Sequence, residues 1–453
     1  MRTVRFDGGT LVLERFPEDE IPEGFRLDAR IGLPRGRGIR YHDVVLRLHK
    51  AGLEYTDEAR RYSVLDRPHH TTRTPREYQA EAVKAWRAGG RRGTVVLPTG
   101  AGKSFVAELC IADAGRSALV VAPTLDLVGQ WYDQLRRAFG DPVGIVGGGV
   151  HEVHDITVTT YDSAHIHMRR YGDRFGMVVF DEVHHLPGPA YAQAAEDAIA
   201  PFRLGLTATL ERPDGGHMAV DHLVGPVVYR KEITELAGEF LAEYRTEYIE
   251  VDLSEAERAD YVEARSTFRS FIDSRGLRLG GSGGWNRFLR EAARSTEGRA
   301  ALGAWRQSRR ILQGTQAKLE VLEELLRVHH NGRVIVFTND NATVYAISRL
   351  LLLPAITHQT DLKERRAILE GFAAGELPVI VTSRVLNEGV DLPSADVGIV
   401  LSGSGTVREH VQRLGRILRR REGKQAVLYE VVVGGSAEEA TSARRRDHAA
   451  YRD

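Results

Sequence analysis

The chain has 453 residues, with 62 Lys+Arg against 62 Asp+Glu and a formal net charge of zero. Any affinity for a polyanion must therefore come from local basic patches, not from the surface as a whole. The single cysteine, Cys110, excludes an internal disulfide and a cysteine-built metal cluster, and no apolar run reaches the roughly 18 residues of a membrane span. No signal-peptide pattern is present, so a cytoplasmic location without a membrane partner is expected. The length calls for roughly two to four domains.

Thr3 to Phe6 and Thr10 to Leu13 are short alternating runs around Asp7-Gly8-Gly9, which predicts a hairpin. Tyr41 to Ala51 reads as a helix. Residues 1–66 hold 12 Lys+Arg and 12 Asp+Glu and form a small α+β accessory domain, which either touches DNA or packs on the neighbouring motor domain. Arg67 to Thr74 reads as a linker, with His69 and His70 a solvated pair. Pro75 to Ala88 starts a helix with Tyr78-Gln79. Gln79 either recognises an adenine or simply opens the helix.

Leu97 to Ser104 spells LPTGAGKS between an apolar, β-branched run (Thr94 to Leu97) and an Ala/Leu/Ile-rich helix (Phe105 to Ala114). Strand, Gly-rich turn and helix opening on Lys-Ser is the context of a phosphate-binding loop. Thr99, Gly100, Ala101 and Gly102 would wrap an anion with backbone N–H groups, the glycines allowing the bend. The helix adds its positive end. Lys103 would reach the β- and γ-phosphates of ATP, and Ser104 would hold Mg²⁺. Leu97 stands where the general pattern has glycine.

Ser117 to Ala122 is the next buried strand, ending in Pro123-Thr124 before a helix from Leu125 to Phe139. Ile156 to Thr160 is another, ending in Tyr161-Asp162-Ser163. Hydroxylated residues at such carboxyl ends either grip a sugar-phosphate backbone or cap the helices next in the chain. Met177 to Phe180 runs into Asp181-Glu182-Val183-His184. An acidic pair at a strand's carboxyl end, downstream of a phosphate loop, completes an ATPase site. Asp181 would hold Mg²⁺ through water, and Glu182 would orient and deprotonate the attacking water. His184 would couple the nucleotide to Thr207-Ala208-Thr209, which closes the strand from Arg203. Alternating strands and helices of this kind predict a doubly wound parallel sheet.

From Arg230 to Gln313 the pattern changes: Glu255 to Phe271 is charged and helical, Gly280 to Gly284 is a break, and Trp285 to Ile311 is helical and Arg-rich. Ser254 to Leu312 holds 12 Arg against 7 Asp+Glu. With Phe268, Phe271, Trp285 and Phe288 among the charges, this stretch is either a duplex-facing surface or a helical spacer around a small aromatic core. A second strand–helix alternation then begins. It has strands at Val334 to Phe337 (followed by Thr338), Ala355 to Thr357, Val379 to Thr382, Val397 to Leu401 and Gln425 to Val433. Between the last two, Val407 to Arg421 is a helix in which Gln412, Arg416 and Arg419 share one face. The two arginines are candidate arginine fingers.

With LPTGAGKS, DEVH (181–184), TAT (207–209), EGVDLP (388–393), LSGSG (401–405) and QRLGRILR (412–419) in this order, the sequence resembles superfamily 2 helicases, and specifically the XPB family of DNA translocases. The resemblance covers Arg76 to Glu430. It implies an α/β chain of two RecA-like doubly wound lobes (residues 75–229 and 314–453), a damage-recognition-like domain (1–66) and a thumb-like helical insertion (230–313). It implies ATP and Mg²⁺ as cofactors, DNA as the track, 3′-to-5′ polarity, a role in repair or duplex opening, and, in prokaryotic relatives, a nuclease partner. A monomer is the default. By the same resemblance Gly389 and Asp391 join the nucleotide site, and Pro123, Thr124, Thr160, His184, Thr207, Thr209, Arg212, Asp214 and Thr338 serve DNA contact or coupling. The family's Arg-Glu-Asp element after TAT reads Arg212-Pro213-Asp214 here. Proline is stiff and lacks an N–H, which leaves ATP hydrolysis intact and puts strand separation in question. The alternatives are a non-unwinding translocase of a restriction or defence complex and an ATP-gated DNA-binding scaffold.

Overall fold

The computed structural model describes residues 1–210, 215–236, 240, 243–279, 283–383, 395–403 and 425–446. The chain divides into two compact units, Met1–Lys231 and Glu232–Asp453. Among the described residues no helix is long and apolar enough to cross a membrane.

The first unit opens with the expected hairpin, β1 (Arg2–Asp7) and β2 (Thr10–Glu14). With β3 (Arg26–Asp28), β4 (Leu33–Arg37) and β5 (Tyr55–Asp57) it makes a five-stranded sheet of order β3-β4-β2-β1-β5. The helix Tyr41–Lys50 buries Tyr41, Val44 and Leu48 against Val4, Leu11 and Leu13 of that sheet. Ile199, from far along the chain, completes this core. The small domain is thus packed on the larger sheet domain of the same unit. Gly38 comes so near the Asp197 backbone that a Cβ there would stand 2.9 Å from the Asp197 carbonyl oxygen. Arg61 closes the seam with a 2.5 Å bond to Asp173.

The linker is less solvated than its composition implies. His69 Nε2 lies 3.0 Å from Glu108 Oε1, and its ring stacks on Phe139. The His70 N–H donates to the Ala138 carbonyl at 2.7 Å. The expectation of a solvated pair holds for the exposed His70 and is corrected for His69, which meets a buried carboxylate 39 residues away in sequence.

The larger sheet is built from β6 (Arg92–Val96), β7 (Ala118–Ala122), β8 (Gly144–Gly147), β9 (Val150–Glu152), β10 (Ile156–Thr160), β11 (Met177–Asp181), β12 (Phe202–Thr207) and β13 (Val227–Arg230). Its order is β13-β6-β12-β11-β7-β10-β8-β9, parallel except for β9. Every residue of β7, β10 and β11 is buried, as expected for strands covered on both faces. Each large aliphatic side chain so buried contributes about 1.5–3 kcal/mol. All carboxyl ends of the central strands open on one edge, where the phosphate loop and the acidic pair sit.

Arg203 is the second residue of β12 and is fully buried. It has no carboxylate partner among the described residues. Its guanidinium donates to the backbone carbonyls of Ala200, Ala195, Leu223 and Ala198 at 2.7–3.1 Å. A planar fork of five N–H donors suits a ring of carbonyls, and an ammonium with three donors does not.

In the second unit β14 (Glu243–Val251), β15 (Val334–Phe337), β16 (Ala355–Ile356), β17 (Val379–Thr382), β18 (Val397–Val400) and β19 (Gln425–Val433) form a parallel sheet of order β14-β19-β18-β15-β17-β16. The span 230–313, expected to be helical throughout, therefore contains an edge strand of this sheet. β14 pairs with β19 over nine residues, from Glu243↔Gln425 to Val251↔Val433. Three helices come after it, Glu255–Ser274, Gly284–Arg294 and Thr296–Gly314. The helical stretch expected from Trp285 to Ile311 is two helices, parted at Ser295, whose hydroxyl accepts the Gly298 N–H at 2.9 Å and starts the second. Phe268, Phe271 and Phe288 are buried in the core of this bundle, packed with Trp285 and Trp305. The aromatic residues are thus core, while Arg269, Arg275, Arg278, Arg287 and Arg290 stay exposed.

Glu257 ties the helical bundle to the sheet domain. Its carboxylate accepts from the Ser254 N–H and hydroxyl at 3.0 and 2.8 Å and from the Thr315 hydroxyl at 3.1 Å. Burial opposes its charge, yet the bonds from Ser254 and Thr315 outweigh burial and hold the group below the ordinary carboxylate range.

These contacts carry two expectations for stability. Arg203→Ala is expected to lower the unfolding free energy of the first unit by about 3–5 kcal/mol, measured by urea titration; a loss under about 1 kcal/mol would contradict the carbonyl cage. For Glu257 the folded pKa is depressed, so its contribution is present above the unfolded value near 4.3 and lost as pH falls through the folded one. Glu257→Gln should then cost about 1 kcal/mol at pH 7, and the gap to wild type in thermal melts should close as pH drops below the ordinary carboxylate range.

Candidate nucleotide site

The loop between β6 and the helix Lys103–Ala114 places Gly100 and Gly102 in the left-handed region, at φ 86° and 80°. The left-handed φ favours glycine at 102, and a Cβ there would stand 2.6 Å from Gln79 Nε2 and displace that amide. The loop is held from below. Tyr78 Oη donates to the Ala101 carbonyl at 2.8 Å, and Gln79 Nε2 donates to the same oxygen at 2.9 Å. Gln79 Oε1 meanwhile accepts the Arg76 N–H at 3.0 Å and caps its own helix. This glutamine therefore opens the helix and also touches the loop.

Two observations fit this loop to a triphosphate. The Thr99 hydroxyl is buried without a hydrogen-bond partner among the described residues, a cost that an incoming acceptor would remove. Among the same residues Lys103 Nζ is held by a 3.3 Å bond to the Leu97 carbonyl, and its charge acts on Asp181.

Asp181 is the last residue of β11 and is buried. Trp131 Nε1 donates to its Oδ2 at 2.8 Å, and the Glu182 N–H donates to its Oδ1 at 3.0 Å. Tyr161 Oη donates to its backbone carbonyl at 2.9 Å. Burial first, and then the neighbouring Glu182 charge, push the Asp181 carboxyl above its ordinary range, while Trp131 and Lys103 pull it back. A divalent cation beside it would act in the same sense as Lys103. Glu182 sits at φ 48°, a left-handed conformation rare for a residue with a Cβ.

The chain turns here so that Glu182, His184 and Thr207 meet. His184 Nδ1 lies 3.0 Å from Thr207 Oγ1 and 3.4 Å from Glu182 Oε2. Thr207 Oγ1 in turn accepts the Thr209 N–H at 3.2 Å and lies 2.8 Å from the Thr209 carbonyl. The acidic box and the TAT stretch therefore share one hydrogen-bond network.

Other residues expected to contact DNA serve as caps or lie buried. Thr124 comes after Pro123 and caps the helix Leu125–Phe139, accepting the Leu127 N–H at 3.3 Å. Thr160 caps the helix Tyr161–Tyr171, accepting the Ser163 N–H at 3.1 Å. Thr338 is fully buried, its hydroxyl 3.0 Å from the Asp340 carbonyl. Gly389, Asp391, Gln412, Arg416, Arg419, Arg212, Pro213 and Asp214 lie outside the described residues. Sequence reasoning missed Trp131, Gln134 and Glu108. The sole signal for the first two was a polar-tipped pair three apart on a helix already expected.

Three family descriptions match the chain: the xeroderma pigmentosum group B helicase damage recognition domain over residues 4–59, the type III restriction enzyme res subunit over 72–212, and the helicase conserved C-terminal domain over 317–421. A protein of Sulfurisphaera tokodaii named DNA 3'-5' translocase XPB2 is 45% identical over 372 residues, covering 82% of this chain and 84% of that protein. The chain belongs to the XPB family. Another XPB relative, the DNA 3'-5' helicase XPB of Kineococcus radiotolerans, is 29% identical over 390 residues, and this chain spans 62% of its length. Among solved structures, the Hef helicase domain of Pyrococcus furiosus matches 82% of this chain and 98% of its own at TM-score 0.54 and 22% identity. Dbp5 of S. cerevisiae, bound to RNA and ADP BeF3, covers 83% and 88% at TM-score 0.57 and 15% identity. At these identities the likeness shows the fold, two RecA-like α/β helicase lobes.

Proposed function

We propose that this XPB-family chain is an ATP-driven motor that translocates 3′-to-5′ on DNA and serves repair or duplex opening. The observation that carries this reading is the shared network of Glu182, His184 and Thr207 beside the phosphate loop. It ties the residue that handles the attacking water to a stretch of the kind that senses a nucleic-acid track.

The roles come from chemistry and position. Lys103 and the loop N–H groups bind the phosphates, and Ser104 and Asp181 hold Mg²⁺. ATP with Mg²⁺ supplies the phosphoryl group and the charge neutralisation its transfer requires. Glu182 orients water and accepts its proton. His184, whose Nδ1 lies 3.4 Å from Glu182 Oε2 and 3.0 Å from Thr207 Oγ1, connects that carboxylate to the TAT stretch. Gln412, Arg416 and Arg419 are proposed to complete the charge on the transferred group.

Two observations favour translocation over strand separation as the core activity. Pro213 stands where the family has glutamate, and the relative at 45% identity is named a translocase. A scaffold that merely binds ATP has no use for Glu182, and the presence of Glu182 and Lys103 argues for hydrolysis.

ATP hydrolysis measured with single-stranded DNA, duplex DNA and RNA tests this. DNA should stimulate turnover. Lys103→Ala and Glu182→Gln should each cut it by about 10²-fold or more with unchanged melting temperature. Full turnover in either variant, or stimulation by RNA alone, would overturn the assignment.

A further inference from the structure

The helix Leu125–Phe139 reaches both residues assigned as Mg²⁺ ligands. Trp131 Nε1 donates to Asp181 Oδ2 at 2.8 Å. Three residues on, Gln134 Nε2 donates to the Ser104 backbone carbonyl at 3.1 Å. Positions three apart lie on one helix face, so one rigid face contacts the two ligands from two different elements.

Both donors have little freedom. The indole has a single N–H and no acceptor, so it can only donate, and Trp131 is 2% exposed. The Gln134 nitrogen gives its second hydrogen to Glu108 Oε2 at 2.8 Å. Glu108 is itself buried, and it is held by Arg73 at 2.7 Å and His69 at 3.0 Å. This fixes which end of the Gln134 amide faces Ser104. The Asp181 carboxylate keeps one protein donor on each oxygen, from Trp131 and from the Glu182 N–H. That leaves its remaining lone pairs aimed by two fixed bonds.

We propose that Trp131 and Gln134 are positioning residues of the Mg²⁺ site. The inference rests on the proposed assignment of Ser104 and Asp181 as ligands. Neither Trp131 nor Gln134 touches nucleotide; each acts through the ligand it holds, as outer partners of metal ligands do.

The test is a Mg²⁺ titration of the binding of a fluorescent ATP analogue to the full chain, without turnover. Trp131→Phe and Gln134→Met remove the N–H donors and keep bulk. Each should raise the Mg²⁺ concentration at half-saturation about tenfold and leave Mg²⁺-free binding of the analogue unchanged. Ser104→Ala separates the two levels of the claim. If Ser104→Ala shifts the Mg²⁺ midpoint and neither Trp131→Phe nor Gln134→Met does, the positioning role is wrong and the site assignment stands. If Ser104→Ala shifts nothing, the site assignment falls and the positioning role with it.

Discussion

The buried carboxylate of Asp181 is the point on which the chemistry of the first unit depends. A carboxylate taken out of water is costly unless it is hydrogen-bonded. Here the cost is offset by an indole N–H on one oxygen, a backbone N–H on the other and the nearby Lys103 charge. Those partners come from three separate segments of chain. The parallel sheet brings them to one edge, because β6, β7 and β11 all end there. Burial thereby turns an ordinary aspartate into a fixed, strongly felt charge at the mouth of the phosphate loop.

What was legible in the sequence shares a physical character. β7 and β11 are covered on both faces, so they appear as near-continuous apolar runs. The phosphate loop is a local device, and its spacing is its geometry. What was hidden depends on meetings across the chain. Trp131 meets Asp181 across 50 residues, and His69 meets Glu108 across 39, with nothing in the local pattern to announce either. β14 escaped for a different reason. Its sequence EYRTEYIEV is rich in charge because an edge strand keeps one side toward water, so it reads as part of the polar helical stretch beside it. The aromatic residues among the arginines misled in the opposite sense: spacing alone does not tell which helix face closes on a neighbour.

The accessory domain adds a mechanical constraint. It is joined to the first sheet domain by a shared apolar core through Ile199, by the close approach of Gly38 to Asp197 and by the Arg61–Asp173 pair. The linker continues the seam, since His69 and Arg73 end on the Glu108 carboxylate that also orients Gln134. A chain of hydrogen bonds therefore runs from the linker behind the accessory domain to the first turn of the phosphate-loop helix. The damage-recognition-type domain and the nucleotide loop thus belong to one compact unit, Met1–Lys231.

The central claim is that ATP hydrolysis drives this chain along DNA. A triplex-displacement assay, in which a third strand is stripped from an otherwise intact duplex, tests it without requiring strand separation. The account predicts ATP-dependent displacement by the wild-type chain and none by Glu182→Gln. Vigorous DNA-stimulated hydrolysis with the third strand left in place would contradict it.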